Sequence, residues 1–145
     1  MYKNILAAVD GTSHGAGVLD TVASLAALTG ASVHVIHIRP AQVITDGISG
    51  GVFATEEPAE GRQVVDEALT RLRAGGVTAD GEVDEGLRED LAGILVDRAT
   101  ALGADLIAVG PGHYSGISAL LHSSVSRGVA KSAPVSVLLV RTDES

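Results

Sequence analysis

The sequence predicts an α/β fold, a five-stranded parallel sheet with helices on both faces. Two observations carry this. Short continuous apolar runs alternate with segments whose apolar residues recur every three or four positions, and glycine or proline stands at most of the junctions. A run apolar at every position suits a strand covered on both sides, as parallel strands are, because their crossover helices pack over both faces.

Ile5-Leu6-Ala7-Ala8-Val9 is the first such run. Thr12 and Ser13 supply N-cap oxygens for a helix bearing Val18, Val22, Leu25 and Ala26, which Gly30 closes. Ala31 to Ile38 is a second strand, rich in β-branched residues, and Pro40 stops it. From Arg39 to Pro58 the chain is glycine-rich and non-periodic, which makes it either a functional flap or partly disordered. The second helix places Val64/Val65, Ala68/Leu69 and Leu72 on one stripe and ends at Gly75-Gly76. Val77 to Val83, polar at alternate positions, reads as a weak strand at a sheet edge. Leu91, Ile94, Leu95 and Leu102 define a third helix closed by Gly103, and Asp105 to Val109 is a fourth strand running into Gly110. After a Gly/Ser loop, Val125 and Val129 mark the last helix, and Pro134 opens a final strand from Val135 to Val140.

The chain has 145 residues, the size of one ordinary domain, so residues 1–145 are read as a single unit. Cysteine is absent, which excludes disulfide frameworks, thiolate nucleophiles and cysteine-ligated metals. Aromatic residues make up 2% of the chain, too few for the base-stacking platforms of RNA and single-strand binders. A net charge of −8 argues against nucleic acid and anionic membrane surfaces as partners. No apolar stretch suits a signal segment or a spanning helix, so the expectation is a soluble protein of the cytoplasm.

Ligands of doubly wound sheets sit outside the carboxyl ends of the strands, where the strand order reverses. If the chain winds outward from its first strand and then returns to that strand's other side, Asp10 and Gly110 flank one crevice. The loop that follows Gly110 reads Gly-Pro-Gly-His-Tyr-Ser-Gly-Ile-Ser-Ala-Leu-Leu-His-Ser-Ser-Val-Ser126. A glycine at a strand end leaves room for a ligand, a helix N-terminus offers unpaired N–H groups, and Ser123, Ser124 and Ser126 add hydroxyls. Taken alone, the loop does not separate a phosphate site from Ser123 capping the helix and glycines turning the chain. It matches neither the phosphate loop with Gly-Lys-Ser/Thr nor the dinucleotide fingerprint.

The segments KNILAAVDGT, VHVIHIRP, GADLIAVG and SSVSRGVAKSAPVSVLLVR, in this order and spacing, resemble the universal stress protein family over the whole chain except residues 40–60. The resemblance implies a sheet of order 3-2-1-4-5 in an adenine nucleotide alpha hydrolase-like fold, a role in stress responses, and dimers made by pairing the last strands. Many members bind ATP through Gly-x2-Gly-x9-Gly-Ser/Thr. The first glycine of that pattern matches Gly110, the second falls on His113, the third on Ser123, and the following serine on Ser124. The resemblance places the adenosine end at Ala8, Asp10 and Ile38, with Val109 beside Gly110, and the phosphate end at His113, Ser123, Ser124, Val125 and Ser126. With two of three glycines replaced, the loop is closer to the branch that does not bind ATP. ATP or another adenine nucleotide is the candidate cofactor, bound weakly. His tolerates the left-handed backbone better than most residues, but its ring adds bulk where phosphate approaches.

Other constellations are weaker. His34 and His37 face opposite sides of a strand and cannot share a metal; one is expected in the core and the other near the ligand end. Asp10, His14, His113 and His122 can meet at the crevice, yet no His-x-His or helix-spaced pair supports a metal site. A Ser124-His113-Asp10 triad lacks the Gly-x-Ser-x-Gly elbow that exposes a nucleophile. Nucleotide hydrolysis or transfer requires charge at the moving phosphate, and only Arg127 and Lys131 on the following helix offer it, so no catalytic residue is assigned. A phosphoacceptor receiver domain requires an acidic pair after the first strand, where Asp10 stands alone. Asp80, Glu82, Asp84, Glu85, Glu89 and Asp90 read as a solvated edge and a helix start. The apolar strand Val135 to Val140, without lysine, calls for a pairing partner, and a two-fold homodimer through that strand supplies one.

Overall fold

The structure, a computed structural model, describes residues 1–11, 13–44, 51–54, 57–110 and 117–141. The first apolar run becomes β1 (Asn4–Ala8), followed by α1 (Ser13–Thr29), β2 (Ser32–Ile44), β3 (Gly51–Ala54) and α2 (Pro58–Ala74). Then come β4 (Ala79–Leu87), a 3-10 turn (Arg88–Asp90), α3 (Leu91–Leu102), β5 (Leu106–Val109), α4 (Ile117–Ser132) and β6 (Ser136–Leu139).

Five of these strands run parallel in the order β4-β2-β1-β5-β6. Counted along the chain without β3, this is the predicted 3-2-1-4-5. Strand alternation divides the interior into two layers. On one face Val18, Val22, Val65, Leu69 and Leu72 of α1 and α2 pack on Ile5, Ala7, Val33, Val35 and Leu106. On the other, Leu95, Ala99 and Val129 of α3 and α4 cover Leu6, Ile36, Ile107 and Val109. Leu6, Val22, Val33 and Ile107 retain no exposed surface, and burial on this scale contributes about 1.5–3 kcal/mol for each such side chain.

Three expectations require correction. Pro40 does not stop β2, which continues to Ile44 and pairs antiparallel with β3, so part of the expected loop is a hairpin. The reason lies in backbone alternation. The Ser32 N–H bonds Lys3 O and the Val33 N–H bonds Thr78 O, so even-numbered residues of β2 face the β1 edge. At position 40 no β1 residue is left to pair, and the N–H that proline lacks is not needed by β4. The edge strand is also longer than its apolar pattern suggests. It starts at Ala79 and runs nine residues to Leu87, carried by the ladder to β2 from Val33↔Ala79 to Ala41↔Leu87. Finally, α4 begins at Ile117, not at Ser123. Ala and Leu ahead of the serines are strong helix formers and extend the helix backwards, so residues 123 and 124 lie in its second turn.

Candidate functional site

Parallel pairing of β1 with β5 sets Ala7 against Ala108. Continuing that register brings Ala8 level with Val109 and Val9 level with Gly110, so Asp10 and Gly110 emerge at the same, carboxyl, end of neighbouring strands. β2 lies on the other side of β1, and β6 on the other side of β5. This is the place where the strand order reverses. The sheet's right-handed crossovers leave such a place uncovered.

Four predicted residues converge here on one face. Ala8, Ile38 and Val125 pack, partly buried, around the layer that holds buried Val109. The Ser126 hydroxyl donates to the Gly110 carbonyl at 3.2 Å, fixing the third turn of α4 to the end of β5. Asp10 is exposed, and the first turn of α1 closes against it: a Cβ on Gly15 would stand 3.4 Å from Asp10 Oδ1. Gly11 turns the chain with φ of 81°, and a side chain there would come within 2.9 Å of Val64 Cγ2. Glycine is required at that position on both counts.

The ladder between β1 and β2 stops in a specific way. The Val9 N–H still donates to Ile36 O at 3.0 Å, but the Val9 carbonyl is taken by His37 Nδ1 at 2.8 Å. A carbonyl only accepts, so Nδ1 carries the proton. The regular parallel pattern would have given that carbonyl to the Ile38 N–H. His37, 3% exposed, thus ends the ladder, and the backbone of Ile38 turns toward a gap. The gap's far wall is β3. Ala41 pairs with Leu87 on one edge, so its second partner, Ala54, lies on the edge that β1 occupies lower down. Between Ile36, the last residue facing β1, and Ala41 the edge of β2 forms a notch at the mouth of the crevice.

His37 and the hairpin were not identified as site elements from the sequence. Of the two histidines, His37 is both buried and at the ligand end, whereas His34 is on the opposite face as its spacing demands. A signal for the hairpin exists in the β-branched residues on either side of Asp46-Gly47, a turn dipeptide. His113 and the His14, His122, Ser123 and Ser124 side chains, with the triad and histidine cluster built on them, lie outside the described residues. Among the described residues no group of three or more His, Cys, Asp or Glu is placed to hold a metal ion.

Away from the crevice, His34 sits between two carboxylates, Nδ1 at 2.7 Å from Asp80 and Nε2 at 3.1 Å from Glu82. Arg98 donates twice to Glu82, at 2.7 and 2.9 Å. The Arg98 hydrogen bond, outweighing burial and aided by His34, holds the Glu82 carboxyl below the usual range, and Glu82 in turn raises the Arg98 guanidinium. Asp105 is also lowered: burial pushes it up, but the backbone N–H groups of Lys3 and Asn4, at 2.9 and 3.1 Å, outweigh this. These groups tie β4 to α3 and the chain start to β5.

The arrangement defines a doubly wound α/β protein whose strand order reverses between β1 and β5, beside Asp10 and Gly110. The sequence model of the universal stress protein family matches residues 1–141, and the chain belongs to that family. Universal stress protein YxiE of Bacillus subtilis is 28% identical over 151 residues, covering 97% of this chain and 100% of that protein. The crystal structure of a universal stress protein family member from Burkholderia pseudomallei superposes with a TM-score of 0.72 at 27% identity, over 96% of each chain. A universal stress protein solved in complex with cAMP has the same fold, with a TM-score of 0.71 at 24% identity over 96% of each chain. Among the described residues no helix is long and apolar enough to cross a membrane.

Proposed function

We propose that this chain is a non-catalytic, homodimeric stress-response module of the cytoplasm whose crevice binds an adenine nucleotide weakly. The observation that carries the reading is the convergence of Ala8, Ile38, Val109 and Val125 on one face beside Asp10 and Gly110. A flat, apolar base suits that face, the Ile38 backbone offers an edge-on donor, and Asp10 accepts from ribose hydroxyls. The cAMP complex of a relative with this fold supports the same ligand class.

The phosphate end supports weak binding. His113 and Ser123 replace glycines of the family's ATP pattern. Because α4 begins at Ile117, the amides of residues 123 and 124 are committed to helical bonds and do not open toward a phosphate. Gly110, Val125 and Ser126 border this end, with the Ser126 hydroxyl already engaged by Gly110. The dimer reading rests on β6, where Leu139 is 48% exposed on a strand that, among the described residues, pairs only with β5.

Calorimetric titration with ATP, ADP, AMP and cyclic AMP tests this, with Asp10→Ala as control. Millimolar to high-micromolar binding without preference for the triphosphate, lost in the variant, is the expected result. A second reading, an ATP-dependent switch or slow ATP hydrolase, draws on the retained Asp10 and Gly110. Tight ATP binding, or ATP turnover by the purified protein, would establish it instead.

A further inference from the structure

Among the described residues β4 pairs only with β2, leaving the other edge of this nine-residue strand without a strand partner. Because the Thr78 carbonyl faces β2, alternation turns the N–H and C=O groups of Ala79, Gly81, Val83, Glu85 and Leu87 outward. Both ends of this edge are partly closed. The Arg73 guanidinium donates twice to Ala79 O, at 3.1 and 2.8 Å, and the Glu85 N–H donates to Asp84 Oδ1 at 2.8 Å. Gly81 and Val83 lie between, and among the described residues neither makes a backbone bond beyond the β2 ladder. The strand is pressed against α2 there: a Cβ on Gly81 would stand 2.7 Å from Val65 Cγ1 and 3.0 Å from Val35 O.

The charged side chains that β4 itself carries are all acidic. Asp80, Glu82 and Asp84 share the α3 face, with the Asp80 side chain 76% exposed. His34 bridges Asp80 and Glu82 on the inner side, Arg98 pairs with Glu82, and Arg39 reaches Glu85 at 3.4 Å, while the Asp80 carboxylate keeps its outer side open to solvent. Beyond, a cleft of about 670 Å³ is lined by Glu85, Glu89, Asp90 and Asp97. A second copy of the strand is a poor occupant, since pairing would set like charges roughly 4.5–5.5 Å apart. A cationic strand meets the opposite situation.

We propose that the outer edge of β4 receives, by strand addition at Gly81 and Val83, an extended segment of a partner protein with lysine or arginine at alternate positions. Main-chain bonds to the open groups supply affinity, and the alternating cations meet Asp80 and Asp84 on one face. This surface is separate from the crevice and independent of any nucleotide.

The test is fluorescence anisotropy of a dye-labelled hexapeptide of alternating lysine and threonine against the full chain. A fully N-methylated copy keeps the charge and removes every peptide N–H. We expect the methylated copy and a block-scrambled copy to bind at least tenfold more weakly. Asp80→Lys should weaken the parent peptide at least fivefold while circular dichroism stays unchanged. Amide shifts in proton–nitrogen spectra should be largest at Gly81 and Val83. Equal binding of the parent and methylated peptides, shifts centred elsewhere, or no binding at millimolar peptide overturns the proposal.

Discussion

His37 Nδ1 lies 2.8 Å from the Val9 carbonyl oxygen and takes the place of the next rung in the β1–β2 ladder. A buried side chain on the α1/α2 face thereby sets where the crevice on the opposite face begins. Replacing His37 with leucine keeps the volume roughly but leaves a buried carbonyl without its donor. The expected loss is about 1–3 kcal/mol, measured by urea unfolding. His37→Asn, which retains an N–H, should recover part of it. Equal stability of the leucine variant would show that the bond does not fix the end of β1.

Gly11 follows Asp10 with φ of 81° and faces Val64. Gly11→Ala should destabilise by about 1–2 kcal/mol from backbone strain alone, with contact against Val64 adding to it. The same variant should weaken cyclic AMP binding, because the turn aims Asp10. Thermal unfolding and titration on one preparation read both effects.

Much of this arrangement was legible in the sequence because it rests on continuous apolar runs. Ile5 to Ala7 and Leu106 to Val109 are buried on both faces, and such strands show themselves without a partner in view. The hairpin at β3 was not, since Pro40 signals a stop unless one knows that its side of β2 has no ladder to serve at that point. The start of α4 is not legible because serines 123 and 124 are good caps, and a cap residue inside a helix looks the same in sequence as one at its start. The His34, Asp80, Glu82 and Arg98 cluster joins positions 46 and 48 residues apart at His34 and 16 apart at Arg98, which no local pattern reveals.

The lowered Glu82 and Asp105 carboxyls make stability depend on acid. A carboxyl held below its ordinary value contributes fully above that value, and the contribution disappears as pH falls through the lower, folded-state value. Glu82→Gln should therefore lower the melting temperature at pH 7 by roughly 2–4 °C, and the difference should shrink below the ordinary value of 4.5. A difference unchanged from pH 7 to pH 3 would place the effect in packing and not in the charge on Glu82.

Leu139 is 48% exposed on β6, whereas Leu138 packs against the core. Leu139→Lys therefore tests the proposed dimer without opening the interior. Light scattering after size exclusion should show a monomer with an unchanged circular dichroism spectrum. A dimer of wild-type stability would move the interface away from β6.

The obstruction at the phosphate end is tested by restoring the family's glycines, His113→Gly with Ser123→Gly. Ser123 lies in the second turn of α4, so glycine there weakens the helix and lets its first turns unwind toward a start nearer position 123. That change costs about 0.5–1 kcal/mol of helix stability, seen in thermal unfolding. In exchange it frees backbone N–H groups and removes an imidazole from the approach. Calorimetry should show ATP affinity rising at least tenfold, with AMP affinity nearly unchanged, because the base end is untouched. A rise for AMP and ATP alike would locate the effect at the base end. No rise for either would mean that the loop backbone, and not these two side chains, keeps a triphosphate out.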